Sequence, residues 1–352
     1  MELSTAQQKI VEAKEPRIVV IASAAAGKTA VLTERARYLL SHGVDPSKMV
    51  LITFTNAAAE ELAERLNHPK GMFIGTIHSY ANYLLLSYGK ETADLLESEQ
   101  FDRLFERIKK HPNCIKEVDY LMLDESQDSN ESHFEFLLDM VQPKNYMLVG
   151  NHKQSIYRWN GAYPQYLIDL ANDPTVTTYD LNENYRNGYK ILDFARGIIN
   201  AAGYEYYDRS RPMRGVAGKV VDVEYSPVAV ARAIKSMGDY KNWFVLTRTN
   251  DQLDEMAFFL KKEGIPIDTF KRSELDNKEL GEKMKQDTVK VLTIHTAKGL
   301  EANNVVVIGA KFFNVEERCV SYVAATRAKN LLVWTKMPNR ARKMQKMTSW
   351  EI

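Results

Sequence analysis

IVVIASAAAGKT, the stretch from Ile18 to Thr29, joins a run of β-prone apolar residues to a turn of small residues. The turn ends in Gly27-Lys28-Thr29, and a helical pattern follows. A buried parallel strand, a tight turn whose backbone N–H groups face an anion, and the positive end of a helix are typical of a phosphate-binding loop. The first hypothesis is therefore a polyphosphate site, with the Lys28 ammonium on the phosphates and the Thr29 hydroxyl on Mg²⁺.

A second interpretation of the same stretch stays open. The strict phosphate-loop pattern has glycine at the position of Ala22. A run of three alanines also fits an ordinary buried turn between a strand and a helix. The rest of the chain has to distinguish a nucleotide site from a purely structural turn.

The composition predicts a cytoplasmic protein with room for two domains. The chain has 352 residues, of which 45% are hydrophobic and 26% are charged. No apolar run approaches the roughly 20 residues that span a bilayer, and MELSTAQQKIVEAKEP at the amino terminus lacks the order of a secretion signal. Cys114 and Cys319 are too few for a disulfide framework or a zinc site. The net charge of +1 neither favours nor excludes nucleic acid.

Strands that alternate with helices predict a parallel sheet in the first half of the chain. A capped helix from Ser4 to Val11, which carries Gln7, precedes the first strand. Further strands are predicted at 49–53, 72–74, 118–123, 146–149 and 175–180, the last as the crossover to the second half. Helices are predicted from the loop to residue 41, over 57–66, and as a pair that ends at residue 110. In the second helix of that pair, one face carries Phe101, Leu104, Phe105 and Ile108.

The strand predicted at 118–123 ends in Asp124-Glu125. After a phosphate loop, such a pair suggests a second nucleotide-site motif, with Asp124 on Mg²⁺ through water and Glu125 polarising the attacking water. The alternative is a strand that ends in two solvated acids. The upstream loop favours the catalytic interpretation.

The second half repeats the pattern without a phosphate loop. Strands are predicted at 219–224, 243–247, 289–293, 304–308 and 331–335, with helices between them. The sequence thus predicts an α/β protein with two domains, residues 1–180 and 181–352. One loop for two such domains suggests a nucleotide clamped between them, because ligands collect at the carboxyl ends of parallel strands.

Ten sequence blocks, taken together and in order, resemble the UvrD/Rep-type superfamily 1A DNA helicases. They are LSTAQ, ASAAAGKT, TFTNAAAEEL, GTIHS, LDESQD, VGNHKQSIYRWNGA, LNENYR, LTRTN, TIHTAKGLE and EERCVSYVAATRA. The resemblance covers nearly the whole chain and implies two RecA-like P-loop NTPase domains with the ATP site in the interdomain cleft. It also implies that residues 81–118 are a reduced helical accessory insertion.

The resemblance implies ATP and Mg²⁺ as cofactors. The nucleotide-binding set would be Gln7, Ala22, Ser23, Ala24, Ala25, Ala26, Gly27, Lys28, Thr29, Tyr185 and Glu301. Gln7 would read adenine, and Tyr185 would stack on it. The catalytic set would be Lys28, Thr29, Asp124, Glu125, Gln154, Arg186 and Arg327, with Thr29 and Asp124 as metal ligands. Glu125 would be the base, Gln154 the γ-phosphate sensor, and the two arginines the fingers from the second domain.

A single DNA strand is the implied partner. Its binding set would be Phe54, Thr55, Asn56, Thr76, His78, Tyr157, Trp159, Thr293 and His295. Aromatic faces stack on bases without reading sequence, and small polar groups hold phosphates. Core packing is the alternative for the two aromatic residues of YRW, and a structural role is the alternative for the histidines.

Several residues depart from the family pattern. Ala25 replaces a glycine, where a methyl group can resist a positive φ, and Ala30 replaces a common arginine. Asn160 likewise replaces an arginine, and residues 151–153 replace an acid-rich run. Only 47 residues separate Thr76 from Asp124, and 102 separate Arg186 from Val289. Larger relatives insert accessory domains at both places, so a stripped motor is expected.

The expected activity is ATP-driven 3′–5′ translocation on single-stranded DNA, with weak duplex unwinding at single-strand/duplex junctions. The chain is expected to work as a monomer or a weakly self-associating protein, with help from a loading or accessory protein. Two alternatives stay open. One is a DNA-stimulated ATPase that strips or remodels DNA-bound proteins without unwinding, and the other is an inactive structural subunit.

Overall fold

The computed structural model describes residues 2–98, 100–271 and 277–337. The chain divides into two compact units, Met1–Glu183 and Asn184–Ile352. Each unit contains its own six-stranded sheet. The two units are therefore described one after the other.

The first unit alternates strands and helices. Its strands are β1 (Arg17–Ala22), β2 (Met49–Ile52), β3 (Phe73–Gly75), β4 (Tyr120–Leu123), β5 (Asn145–Gly150) and β6 (Thr177–Leu181). Its helices are α1 (Thr5–Val11), α2 (Lys28–Ser41), α3 (Asn56–Arg65), α4 (Ile77–Ser87), α5 (Ala93–Glu97), α6 (Arg103–Lys110), α7 (Glu131–Phe134) and α8 (Pro164–Asn172). One π-helical segment, Glu135–Met140, continues α7.

Every strand pair of the first sheet is parallel, in the order β3-β2-β4-β5-β1-β6. β1 lies between β5 and β6, with Val19 opposite Leu148 and Thr178. Apolar side chains from both faces of this sheet are buried in two hydrophobic clusters, which explains why its inner strands have continuous apolar sequences. Because all strands are parallel, the residues that follow β1, β4 and β5 lie together at the carboxyl end of the sheet.

The helical region between β3 and β4 differs from the sequence prediction. Three helices, α4 to α6, reach Lys110, where the spacing predicts two. Leu104, Phe105 and Ile108 are buried as expected, but Phe101 precedes α6 and is 39% exposed. The prediction was wrong for Phe101 because helical periodicity does not apply to a residue outside the helix.

The second unit adds strands β7 to β14 and helices α9 to α13. The strands are β7 (Glu183–Asn184), β8 (Arg211–Pro212), β9 (Lys219–Glu224), β10 (Trp243–Thr247), β11 (Ile267–Phe270), β12 (Val289–Thr293), β13 (Ala302–Ile308) and β14 (Ala328–Lys336). The helices are α9 (Tyr189–Asn200), α10 (Pro227–Met237), α11 (Asn250–Lys262), α12 (Asn277–Met284) and α13 (Val315–Ala325).

The main sheet of the second unit is also parallel, in the order β11-β12-β10-β13-β14-β9. The five predicted strands are all present in it, while β11 at its edge was missed. β7 and β8 form a separate two-stranded sheet. The predicted α/β class with two parallel sheets is therefore confirmed. Among the residues that the structure describes, no helix is long and apolar enough to cross a membrane.

The pH dependence of folding follows from His133 in α7. Burial, followed by the nearby His78, lowers the pKa of His133 to about 4, whereas an unfolded histidine titrates near 6.5. Between these values the unfolded chain binds the proton more readily, so stability is complete above about pH 6.5 and falls as the pH drops toward about 4.

We expect His133→Asn, which keeps an acceptor for the Asn130 N–H, to remove this dependence. Between about pH 7 and pH 4 the original chain should lose roughly 2–3 kcal/mol more free energy of unfolding than the variant. Urea denaturation at stepped pH measures the difference, with the exposed His68→Asn as control. Parallel curves for the original chain and His133→Asn would contradict the assignment.

Candidate nucleotide and strand-binding site

The loop between β1 and α2 has the backbone of an anion cradle. The Ser23 N–H donates to the Leu181 carbonyl at 2.7 Å and the Ala26 N–H to the Ser23 carbonyl at 3.2 Å, which fixes the turn. Ala25 and Gly27 both have left-handed backbones, with φ of 57° and 80°. Left-handed residues within a tight turn direct successive N–H groups to one side, and α2 begins at Lys28 with its positive end toward that side.

Gln7 supports this loop from α1. Its Nε2 donates to the Ala26 carbonyl at 3.0 Å, and its Oε1 accepts the Ser4 N–H at 2.9 Å in a capping box. A Cβ atom at Gly27 would lie 2.7 Å from Gln7 Nε2 and would displace that amide, and the φ of 80° itself favours glycine. The side-chain amide of Gln7 has a second N–H that could donate to adenine. This adenine contact stays a prediction.

Ala25 occupies a left-handed position that glycine adopts without cost. For an alanine this conformation costs about 1–2 kcal/mol. The sequence identified the substitution, and the structure adds that the chain keeps the left-handed turn in spite of the methyl group. The surrounding hydrogen bonds, rather than the residue itself, must hold this turn.

Lys28, Glu125 and Gln154 meet at the carboxyl end of the first sheet. Lys28 Nζ lies 2.8 Å from Glu125 Oε1 and 3.5 Å from Gln154 Oε1. The side chains of the ion pair are 12% and 25% exposed, so water screens the pair only partly. Three residues predicted from separate sequence blocks thus form one cluster.

The backbone at Glu125 is left-handed, with φ 49° and ψ 37°. Asp124 Oδ1 accepts the Glu125 N–H at 2.8 Å, and Asp124 itself is buried. A non-glycine residue held in this conformation is strained, and such strain concentrates at functional sites. The turn presents the Glu125 carboxylate to Lys28 immediately after β4.

Gln127 is a site residue that the sequence reasoning missed. It is fully buried, its Nε2 donates to Glu125 Oε2, and its Oε1 accepts the Asn151 N–H at 2.7 Å. Its carbonyl accepts a hydrogen bond from Ser155 Oγ at 3.1 Å. A Cβ atom at Gly150 would lie 2.7 Å from Gln127 Oε1, so the glycine at the end of β5 makes room for this amide. The block LDESQD contained the signal, but only its first two acids received a role.

The residues present fit a nucleotide with a divalent cation. The left-handed loop supplies N–H donors, Lys28 supplies a positive charge, and Asp124 is a buried carboxylate at the same sheet edge. Oxygen ligands such as the Asp124 carboxylate and the Thr29 hydroxyl are those that Mg²⁺ takes. The individual roles of these residues stay predictions.

Three aromatic side chains of the first unit form a row, which we name the aromatic row: Phe54, Tyr157 and Trp159. The rings of Phe54 and Tyr157 stack with centroids 5.3 Å apart, and those of Tyr157 and Trp159 meet edge-on at 6.4 Å. Phe54 is 37% and Trp159 60% exposed, whereas Tyr157 is 8% exposed. Tyr157 therefore packs between two rings that remain accessible.

A cavity of about 340 Å³ adjoins Phe54 in the first unit, and we name it the strand-side cavity. Thr76, His78 and Asn160 contribute to its lining. The hydroxyl of Thr76 caps α4 by accepting the Ser79 N–H at 3.2 Å. The predicted strand residues Thr55 and Asn56 lie outside this lining, at the exposed start of α3, where Thr55 Oγ1 accepts the Ala58 N–H.

The remaining predicted residues lie in the second unit. Arg186 donates to Glu301, which also pairs with Lys329 at 2.5 Å. Burial opposes ionisation of Glu301, but the two cations outweigh it and lower the pKa of this carboxyl. Arg327 is buried, and its guanidinium donates to the Val323 and Leu300 carbonyls at 3.0 and 3.2 Å.

The other three residues predicted for this unit are at least partly accessible. Tyr185 is 42% exposed, while Thr293 and His295 are half-buried. Thr293 Oγ1 lies 2.9 Å from Thr296 Oγ1 and accepts the Thr296 N–H. The finger role of the two arginines, and the nucleotide or strand contacts of Tyr185, Glu301, Thr293 and His295, stay predictions.

Family models match both units. The UvrD/REP helicase N-terminal domain matches residues 3–114 and 100–175, and the UvrD-like helicase C-terminal domain matches residues 267–339. Together they cover more than half of the chain.

Curated relatives are similar over most of this chain. The ATP-dependent DNA helicase Rep of Buchnera aphidicola is 25% identical over 78% of the chain and 58% of its own length. The Rep helicase of Escherichia coli is 25% identical over 76% of the chain and 55% of its own length. A probable DNA helicase of Mycoplasma pneumoniae is 25% identical over 89% of the chain and 79% of its own length. The chain thus spans little more than half the length of the two Rep proteins.

A solved helicase structure, from PRRSV, aligns with 97% of the chain at 15% identity and a TM-score of 0.48, a similarity too low to bear on function. The two family models agree with the order of the ten sequence blocks and with the parallel sheets of both units. The chain belongs to the UvrD/Rep-type superfamily 1A helicase family.

Proposed function

We propose that this protein is an ATP-dependent DNA translocase and helicase that moves 3′–5′ along single-stranded DNA in the cytoplasm. The observation that carries the proposal is the cluster of Lys28, Glu125 and Gln154 behind a left-handed phosphate-type loop. The aromatic row on the same unit supports a neighbouring strand site. The printed names of the relatives, ATP-dependent DNA helicases, support the class of reaction.

The ion pair between Lys28 and Glu125 suggests how the resting site responds to nucleotide. A triphosphate in the loop competes with the Glu125 carboxylate for the Lys28 ammonium, since both are anions. Once Lys28 turns to the phosphates, Glu125 is released to orient and deprotonate the attacking water. Mg²⁺ on Thr29 and Asp124 would neutralise charge on the phosphate oxygens. Gln154 and the arginines at 186 and 327 are proposed to stabilise the charge on the transferred group.

Strand binding is proposed to use stacking on Phe54 and Trp159, with Tyr157 holding them in place. Stacking on an aromatic ring is tolerant of base identity, as a translocase requires. The short spacings at 76–124 and 186–289 support weak unwinding, which a loading partner or a duplex junction would assist. We propose that the chain acts as a monomer or in weak self-association.

The nucleotide site is tested first by two substitutions. We expect Lys28→Ala to abolish ATP hydrolysis, because it removes the cation from the loop. Glu125→Gln should lower kcat by about 100-fold or more, because it removes the base, while ATP binding is kept or tightened, because the anion that competes for Lys28 is also removed. Steady-state hydrolysis with and without single-stranded DNA, together with binding of a fluorescent ATP analogue, measures both. Normal turnover in Lys28→Ala would reject the site.

Unwinding is separated from protein displacement on forked DNA. A fork with a 3′ tail should be opened slowly with ATP, while the opposite polarity stays closed. If the protein removes only a protein roadblock and the duplex remains intact, the alternative of a remodelling ATPase is correct instead of the helicase. If DNA does not stimulate ATP hydrolysis at all, the alternative of an inactive structural subunit remains.

Gln127 should matter as a positioning residue, because it fastens the Glu125 carboxylate to the end of β5. We expect Gln127→Leu to lower kcat for ATP about tenfold with the KM for ATP changed less than about twofold, since the loop and Lys28 are untouched. The partly exposed Gln165→Leu in α8, away from Glu125, is the control. A rise in KM with unchanged kcat would show that Gln127 acts on nucleotide binding instead.

Trp159 should contribute to strand binding and not to basal hydrolysis. Trp159→Ala is expected to weaken binding of oligo(dT) by about 5- to 100-fold, which is the worth of one base stack. Tyr88→Ala removes an aromatic residue of comparable exposure outside the strand set and should have no effect. Fluorescence anisotropy gives the affinity, and unchanged affinity in Trp159→Ala would exclude this residue from the track.

A further inference from the structure

His78, Asp102 and His133 form a group of possible ligands in the first unit, which we name the His–Asp–His cluster. One nitrogen of each imidazole and one carboxylate oxygen all lie within 4.8 Å of one another. His78 Nε2 and Asp102 Oδ1 are 3.3 Å apart. Ligands at about 2.0–2.2 Å from a tetrahedral zinc ion are separated by roughly 3.3–3.5 Å. His78 and Asp102 already have the separation of two ligands on one metal ion, and a nitrogen of His133 lies within 4.8 Å of both.

The two imidazole rings are held by a buried phenylalanine. Phe105 of α6 stacks on His78, with centroids 5.4 Å apart, and meets His133 edge-on at 5.8 Å. The two imidazoles are edge-on to each other at 5.2 Å. Aromatic packing on both rings restricts their rotation, so little side-chain freedom would be lost when an ion binds.

The cluster opens onto the strand-side cavity. Asp102 is exposed and faces the strand-side cavity together with both histidines. The cavity leaves space for water or another ligand at the open positions of an ion.

The hydrogen bonds of the His133 ring would change when a metal ion binds. His133 Nδ1 accepts the Asn130 N–H at 3.3 Å, and Nε2 is buried without a hydrogen-bond partner in the part of the chain that the structure describes. An ion on Nδ1 would use the same lone pair, and an ion on Nε2 would place the ring proton on Nδ1. In both cases the ion replaces one long hydrogen bond, and Asn130 keeps its other cap contact to the His133 N–H.

We propose that the His–Asp–His cluster binds a divalent transition-metal ion of the zinc type. Two imidazoles and one carboxylate are a zinc-type donor set with an open position for water. The ligands come from α4, from the residue before α6, and from α7. A bound ion would therefore fasten the helical insertion to the body of the first unit beside the strand-side cavity. The cysteine count predicted no zinc site, and this one uses neither cysteine.

The test is a metal titration of the full chain after removal of metal with a chelator, without nucleotide or DNA. We expect one Co²⁺ or Zn²⁺ ion per chain, visible as Co²⁺ absorption bands and as a calorimetric isotherm. Asp102→Asn should weaken binding at least about tenfold, and because Asp102 is exposed, the change leaves the core of the unit intact. His78→Gln and His133→Asn should do the same.

Two controls keep the result specific. His42→Gln alters an exposed histidine outside the cluster, and Asp124→Asn alters the proposed Mg²⁺ ligand, so both should bind zinc as the original chain does. Zinc should also raise the Tm of the original chain but not that of Asp102→Asn. Equal binding by the original chain and Asp102→Asn, or loss only in Asp124→Asn, would overturn the proposal. Both outcomes are independent of ATP hydrolysis, so they do not bear on the proposed function.

Discussion

The contact between the Lys28 ammonium and the Glu125 carboxylate depends on the parallel order of the first sheet. β1 carries the loop before Lys28, β4 ends immediately before Asp124, and β5 lies between them. Strands in a sheet are about 4.8 Å apart, so the ends of β1 and β4 are separated by roughly 10 Å. The Lys28 and Glu125 side chains together span that distance across β5. The two residues are far apart in the sequence, so only the strand order brings them together. The site is a consequence of strand order.

Two non-glycine residues with left-handed backbones lie in the segments that make this contact. Ala25 and Glu125 both adopt left-handed backbones that favour glycine. Each is held by neighbours: Gln7 donates to the loop beside Ala25, and Asp124 accepts the Glu125 N–H. The cost of the strain is offset by hydrogen bonds and by burial around it. Under the proposed function, such a preformed loop would lower the cost of ordering when phosphate binds.

The aromatic row also lies on segments that follow the carboxyl end of the first sheet. Gln127 joins Glu125 to the loop after β5, and that loop continues to Tyr157 and Trp159. This short chain of hydrogen bonds connects Glu125 to the segment that carries Tyr157 and Trp159 of the aromatic row, within one unit. Under the proposed function, it would couple the nucleotide site to the strand site. The His–Asp–His cluster lies in the same unit, with its residues on α4, before α6 and on α7.

Much of the fold and part of the site could be predicted from the residues alone. Apolar runs identified the inner strands, because strands buried on both faces need continuous apolar sequence, and the order of the ten blocks identified the family. Local pattern did not identify β11 at the sheet edge, the third helix before β4, or the exposure of Phe101. Periodicity describes a segment by itself, whereas edges and short helices depend on what packs against them.

The chain by itself thus determined which residues are proposed to carry the chemistry: Lys28 after the loop, Asp124-Glu125 after a strand, and aromatic residues in the YRW block. Only the tertiary structure decided their partners. It paired Lys28 with Glu125, gave Gln127 its role between Glu125 and β5, joined Arg186 to Glu301, and assembled His78, Asp102 and His133. The reason is physical: residues far apart in the chain meet through strand order and helix packing, which no local sequence pattern records.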